Sequence, residues 1–166
     1  MEGAELLPTL AEIAVAFAGF ASLVSILGGR SSGEQLVANL VRLRGMLQSA
    51  IVVLAFSFAP FLPAKFGASA EVSWRTAGAV YALAMLAPIP FQYPRILSSP
   101  VNSRVAVSIG LMQLVAGLAL ATSVAALSPT VVVGAYHFAL FVGLATSSVL
   151  FMRVVTSAYS AETPSA

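Results

Sequence analysis

Hydrophobic residues run through this chain in five long stretches, separated by short segments rich in polar residues, proline or glycine. A helix needs about 20 apolar residues to cross the ~30 Å hydrocarbon core of a bilayer. The pattern therefore predicts an all-α fold, a polytopic transmembrane helical bundle that forms a single membrane domain over residues 1–166. The five predicted spans cover residues 6–27, 33–59, 73–93, 103–127 and 129–156.

The third span differs from the others because prolines interrupt its second half. Pro88 and Pro90 follow Ala87 within four residues of sequence. A proline inside a helix removes one backbone donor and clashes with the preceding turn. The sequence therefore predicts that the third span is kinked or broken near Ala87, with Pro88 and Pro90 forming the helix hinge.

The basic residues predict how the spans are oriented, since short cytoplasmic loops carry an excess of lysine and arginine. Two basic residues, Lys65 and Arg75, fall on one side of the membrane in the five-span scheme. Six fall on the other side: Arg30, Arg42, Arg44, Arg95, Arg104 and Arg153. We therefore expect an N-terminus outside and a C-terminus inside, in a multi-pass protein of the cell membrane, specifically a prokaryotic inner membrane.

The beginning of the chain predicts that the first span is kept in the mature protein. Residues 1–5 carry Glu2 and Glu5 and no basic residue. A secretory signal peptide begins with a basic segment, so cleavage of the first span is not expected.

Composition narrows the range of functions. Charged residues make up 8% of the chain, against about 25% in a soluble domain, and the net charge of +2 is too small to indicate a nucleic-acid partner. The absence of cysteine excludes thiolate chemistry and disulfides. Aspartate is also absent, and the single lysine lies between predicted spans. We therefore expect no enzyme activity, no metal and no cofactor, with the lipid bilayer as the main partner.

Two ionisable residues fall clearly within predicted spans, and they are the main functional candidates. Glu12 lies in the first span and His137 in the fifth, both one to two turns from the outer surface in the predicted topology. Burying a charge at the membrane centre costs about 2.5–3.5 kcal/mol on insertion scales, so such residues often serve a function. A pair formed by Glu12 and His137, within or between subunits, could relay a proton or bind a cation. Alternatively, Glu12 reaches the headgroups and His137 bonds a carbonyl in the bundle.

Two amides, Gln48 and Gln113, are further candidates for an ion or proton pathway. Amides at membrane depth commonly link helices through hydrogen bonds of about 0.6 kcal/mol, so helix packing is the simpler interpretation.

Small residues spaced four apart predict close helix crossings of the Gly-x-x-x-Gly type. The positions are Ala14, Ala18 and Ser22 in the first span, Gly117, Ala121 and Ala125 in the fourth, and Ala139, Gly143 and Ser147 in the fifth. This pattern concerns packing within the bundle or between protomers. It does not indicate an activity.

Aromatic residues near the outer ends of spans two and three are typical of a membrane-interface belt. They are Phe56, Phe58, Phe61, Phe66 and Trp74. We therefore expect these side chains at headgroup level rather than around a cofactor.

Two functions from different classes fit these observations. The first is a homo-oligomeric channel or carrier for a small cation or proton, in which self-association supplies a path that five helices are too few to enclose. The alternative is a non-catalytic structural or accessory subunit that binds other membrane subunits. A haem- or lipid-modifying enzyme built around His137 ranks below both, because one histidine per chain gives a single axial ligand.

Overall fold

The computed structural model describes residues 3–27, 34–91, 103–126 and 128–161. All regular secondary structure in these ranges is helical, which confirms the all-α prediction. The helices are α1 (Leu6–Leu27), α2 (Glu34–Phe58), α3 (Phe61–Lys65), α4 (Ala70–Leu86), α5 (Ser103–Ala126) and α6 (Pro129–Ala161). Four residues of the predicted spans lie outside the described ranges, at positions 33, 92, 93 and 127. The basic residues Arg30 and Arg95 also lie outside them.

Four helical segments in the described ranges are long and apolar enough to cross a membrane. They are Leu6–Val24, Asn39–Lys65, Arg104–Ala125 and Pro129–Thr156. The chain is therefore a multi-pass membrane protein by length and composition. These segments correspond to the first, second, fourth and fifth predicted spans.

The third predicted span corresponds to α4, which begins and ends earlier than expected. It begins at Ala70 because the side chain of Ser69 accepts a hydrogen bond from the Val72 N–H and caps the helix. It ends at Leu86, where the Ala87 N–H still bonds the carbonyl of Leu83. Ala87 and Pro88 then form a turn. With 17 residues, α4 is about 26 Å long at 1.5 Å per residue, so a fifth span stays a prediction.

The connection between α2 and α4 is a compact turn around α3. Gly67 has a φ of +84°, a conformation that side chains with a Cβ rarely adopt. Its N–H bonds the carbonyl of Ala64, and the Ala68 N–H bonds the carbonyl of Pro63. These bonds satisfy the last carbonyls of α3 and lead the chain directly into the capped start of α4.

Helix α6 lies at the centre of the bundle and packs against α1, α2, α4 and α5. Contacts along the helices give their relative directions. Phe17 of α1 lies beside Phe151 of α6, whereas Gly3 lies beside Val133, so these two helices run parallel. Helices α2 and α6 run antiparallel, since Gly45 lies near Leu150 and the Tyr136 hydroxyl bonds the carbonyl of Phe56.

The second half of the chain repeats this alternation of direction. Helix α4 lies antiparallel to α5, since Arg75 bonds the carbonyl of Val124 while Leu86 lies against Gly117. It also contacts α6, where Trp74 lies against His137 and the Tyr81 hydroxyl bonds the carbonyl of Ala139.

Helices α2 and α6 approach each other closely at Gly143. A Cβ at this position would lie 2.5 Å from Cγ2 of Val53. The Gly143 carbonyl accepts a hydrogen bond of 2.7 Å from Ser49 Oγ. Glycine is therefore required here for steric reasons, and the short interhelical distance permits the hydrogen bond.

Gly143→Ala tests this crossing, with Gly134→Ala on the same helix as its control. Overpacking of a tight interface costs about 1–3 kcal/mol, so we expect Gly143→Ala to lower the thermal midpoint clearly. A Cβ at position 134 would meet nothing within 4 Å, and alanine is the better helix former by about 0.5–1 kcal/mol. The measurement is the fraction of monodisperse protein after heating in detergent. Equal midpoints for the two variants would contradict the proposed crossing.

Candidate functional site

His137 lies inside the bundle near the beginning of α6, where it contacts α4. Its side chain is 9% exposed, and the centroid of its ring lies 5.7 Å from that of Trp74. Nδ1 lies 2.8 Å from the carbonyl oxygen of Val133, one turn earlier in α6. A carbonyl oxygen only accepts hydrogen bonds, so Nδ1 carries the proton. In the neutral ring, Nε2 is therefore left as a hydrogen-bond acceptor facing the protein interior.

A series of aromatic ring contacts begins at this histidine and connects three helices. Trp74 meets the edge of Tyr136 at 5.4 Å between centroids, and Tyr136 meets the edge of Tyr81 at 5.6 Å. Tyr81 in turn stacks on Phe56 at 4.3 Å. We call these five residues, Phe56, Trp74, Tyr81, Tyr136 and His137, the aromatic cluster. It joins α2, α4 and α6 at one level of the bundle.

Both tyrosine hydroxyls of the aromatic cluster are bound to the backbone of another helix. Tyr81 donates to the carbonyl of Ala139 at 3.1 Å. Tyr136 donates to the carbonyl of Phe56 at 2.5 Å. Each tyrosine therefore fills space with its ring and links two helices with its hydroxyl group.

Glu12 lies away from the aromatic cluster, on the exposed surface of the bundle. It is exposed beside a shallow groove between α1 and α2, with Leu54 and Phe58 on the facing helix. Within the described residues, no hydrogen bond or ion pair joins Glu12 to His137. The structure therefore does not bring the two together within one chain, and a contact between subunits stays a prediction.

The two glutamine candidates differ in burial. Gln48 is exposed on α2, whereas Gln113 is half-buried on α5. The two predicted hinge residues follow the end of α4, where Pro88 is half-buried and Pro90 is exposed. These four residues are not brought together by any bond in the described ranges.

The small-residue positions divide between the interior and the surface. Ala14, Gly117, Ala139, Gly143 and Ser147 are buried. Ala18 and Ala121 are half-buried, and Ser22 and Ala125 are exposed. All three positions on α6 therefore serve packing within the protomer, and the exposed small residues are those of α1 and α5.

Most buried hydroxyls in the described ranges bind backbone carbonyls. Between helices, Ser49 bonds Gly143, and Ser147 lies 3.4 Å from the carbonyl of Met46. Within helices, Ser57, Ser123 and Thr146 each bond a carbonyl three or four residues earlier. In an apolar surrounding an unpaired hydroxyl is costly. These bonds therefore stabilise the interior by pairing its hydroxyl groups.

Arg75 lies at one end of the contact between α4 and α5. Its Nη1 donates a hydrogen bond of 2.6 Å to the carbonyl of Val124, and its Nε bonds the carboxylate of Glu71 at 3.0 Å. Val124 lies in the last turn of α5, whose carbonyls carry partial negative charge. The guanidinium therefore stabilises the end of α5 while it fixes the position of α4.

Trp74 and Phe56, which the sequence predicts in an interfacial belt, pack against other helices of the bundle, and their position at headgroup level stays a prediction. Trp74 is 2% exposed, and Phe56 is half-buried against Tyr81. Phe66, by contrast, is 89% exposed. Sequence reasoning also missed Tyr81 and Tyr136. Their position within the third and fifth predicted spans was the available signal, because a buried tyrosine hydroxyl needs a bonding partner.

No protein-family model, curated protein or solved structure matches the chain. Among the described residues, no group of three or more metal-ligating side chains could hold an ion. Any functional conclusion therefore rests on the geometry of the described residues.

Tyr136→Phe tests the link between α6 and α2, with Thr122→Val as its control. The variant keeps the ring contacts and loses the bond to Phe56, so we expect a loss of about 0.6–1.7 kcal/mol in the free energy of unfolding. Thr122 is exposed and bonds only its own helix, at Leu118 and Ala119, so its replacement should change stability by less than about 0.5 kcal/mol. Denaturation by SDS in mixed micelles measures both. A Tyr136→Phe variant as stable as the parent would contradict the assigned bond.

Proposed function

We propose that this protein is a homo-oligomeric channel or carrier for a small cation or proton. The observation that carries the proposal is Glu12, a carboxylate at membrane depth on an exposed face, with an apolar groove beside it. A charged group facing hydrocarbon is costly, and such residues typically line a pathway or face another protein surface. A second protomer covering this face would supply that surface.

Packing inside the protomer favours a path between protomers over a path through one. The buried hydroxyls bond backbone carbonyls, and the space beside Gly143 and Gly117 is filled by Val53 and Leu86. Only shallow surface depressions accompany the bundle in the described ranges, among them the groove at Glu12. A cation therefore has polar groups available at the exposed faces rather than along the bundle axis.

The exposed face of α1 is the surface we propose for self-association. Gly19 and Ser22 are exposed, and a Cβ on Gly19 would meet nothing within 4 Å. Small residues let helices of neighbouring protomers approach closely. Glu12 lies two turns from Gly19 on the same helix, so an interface here brings carboxylates of several protomers near one another.

Glu12→Gln tests the proposal in proteoliposomes. We expect proton or monovalent-cation flux to fall at least tenfold, because the carboxylate is lost while the side-chain volume is kept. Glu71→Gln is the control, since it removes an exposed carboxylate bonded to Arg75 outside the proposed path. Flux is compared at equal protein density. Unaltered flux in Glu12→Gln, or an equal loss in both variants, would overturn the proposed role.

A non-catalytic subunit of a larger membrane complex is the second candidate. The exposed phenylalanines of α6, Phe138 and Phe141, favour it because they offer a large apolar surface to another membrane protein as well as to lipid. Under this function, a different polypeptide would copurify at fixed stoichiometry in native mass spectrometry. Glu12→Gln would then leave the activity of the complex unchanged.

We further propose that α4 is a fifth span, with the N-terminus outside and the C-terminus inside a prokaryotic inner membrane. The alternating helix directions support this topology, since α4 lies antiparallel to α5 from Arg75 at Val124 to Leu86 at Gly117. The turn at Ala87 and Pro88 then marks the inner end of the span, and Pro88 and Pro90 act as its hinge.

Single cysteines at Ala64 and Ser128 test this topology, because the chain has no cysteine of its own. Both positions are exposed. If α4 crosses the membrane, a membrane-impermeant thiol reagent labels both from the outer side of intact cells. The cysteine-free parent is the control for background labelling. Labelling of the two positions from opposite sides would exclude α4 as a span.

A further inference from the structure

Two buried nitrogen atoms of the aromatic cluster have no hydrogen-bond partner in the protein. They are Nε1 of Trp74 and Nε2 of His137. Their side chains are 2% and 9% exposed, respectively. Buried polar atoms are almost always bonded, and an unpaired one costs about 1–3 kcal/mol, so two of them at one place indicate a binding position.

The two atoms are complementary in their hydrogen-bonding roles. The indole Nε1–H of Trp74 can only donate. His137 Nδ1 donates to the carbonyl of Val133 at 2.8 Å, which leaves Nε2 of the neutral ring as an acceptor. A molecule that accepts from Trp74 and donates to His137 would therefore satisfy both atoms at once.

The rings that carry the two unpaired nitrogens are close neighbours. The ring centroids lie 5.7 Å apart with their planes tilted by 50°, and the nitrogens do not bond each other directly. A bridging molecule must therefore be small, with one donor and one acceptor position.

The neighbouring polar groups have other partners. The Tyr136 hydroxyl bonds the carbonyl of Phe56. Arg75, next to Trp74 in sequence, bonds Glu71 and the carbonyl of Val124. Within the described ranges, the contacts therefore bring no protein group to either nitrogen.

We propose that Trp74 and His137 bind a single water molecule, which accepts a hydrogen bond from Trp74 Nε1 and donates one to His137 Nε2. Buried water molecules typically make about three hydrogen bonds to polar groups that would otherwise be unpaired. The site links α4 to α6 at a level where the other links are tyrosine hydroxyls. It does not depend on the proposed transport, because it requires neither Glu12 nor self-association.

Solid-state NMR of the full chain in lipid bilayers tests this site. The chain has one tryptophan and one histidine, so each labelled side chain gives an unambiguous signal. The protein carries ¹⁵N in both residues and is placed in deuterated lipid. We expect magnetisation transfer from a bound water to the indole N–H proton of Trp74, with an unprotonated Nε2 on His137. Absence of a water contact would overturn the proposal. So would a scalar coupling across a direct hydrogen bond from Trp74 Nε1 to His137 Nε2.

Two substitutions at position 137 make the test specific. His137→Phe removes the acceptor, and we expect the transfer from water to the indole proton to fall at least fivefold. His137→Gln supplies an amide oxygen as a new acceptor, and we expect it to retain most of the transfer. Equal transfer in the parent and in His137→Phe would contradict the bridge. If His137→Phe does not fold, Trp74→Phe replaces it, and transfer from water to the His137 ring is measured instead. We expect this transfer to be lost in Trp74→Phe. Full retention of the transfer would count against the bridge.

Discussion

The close approach of α2 and α6 at Gly143 is the contact on which the rest of the bundle depends. The absence of a side chain lets Val53 occupy the space beside the α6 backbone, and Ser49 then reaches the Gly143 carbonyl at 2.7 Å. In lipid, where apolar surface gains little by leaving the solvent, such packing and hydrogen bonding hold helices together. Helix α6 also contacts α1, α4 and α5, so this crossing joins α2 to the helix that packs against every other long helix.

The interior achieves its specificity with neutral groups. Side-chain hydroxyls bind carbonyls on neighbouring helices, as Tyr81 binds Ala139 and Tyr136 binds Phe56. A low-dielectric surrounding strengthens each of these bonds and penalises any register in which they are lost. The arrangement therefore fixes one packing through bonds between neutral hydroxyls and carbonyls, whereas Glu12 lies exposed on the surface of the bundle.

The helices and the close approaches at Gly117 and Gly143 could be predicted from the sequence, since both depend on local patterns. The partner of each crossing could not, because spacing alone does not reveal that Gly143 faces α2 and Gly117 faces α4. Trp74 illustrates a further limit. Its place near a predicted span end is typical of an interfacial residue, but Ser69 starts α4 one turn earlier and turns the indole toward α6. The sequence predicts the position of Glu12 within the first span. Its side chain points away from the bundle because of how α1 packs on α2, which the sequence does not reveal.

The lateral bonds of α4 have a consequence for how the protein is made. This helix is short and carries Glu71 and Arg75 in its first turns, so it is a weak insertion signal by itself. The groups that hold it, the carbonyls of Val124 and Ala139, belong to helices that are translated later. In the five-span topology, α4 therefore settles across the bilayer only when α5 and α6 have emerged from the ribosome. Helices α4, α5 and α6 then insert together rather than one after another.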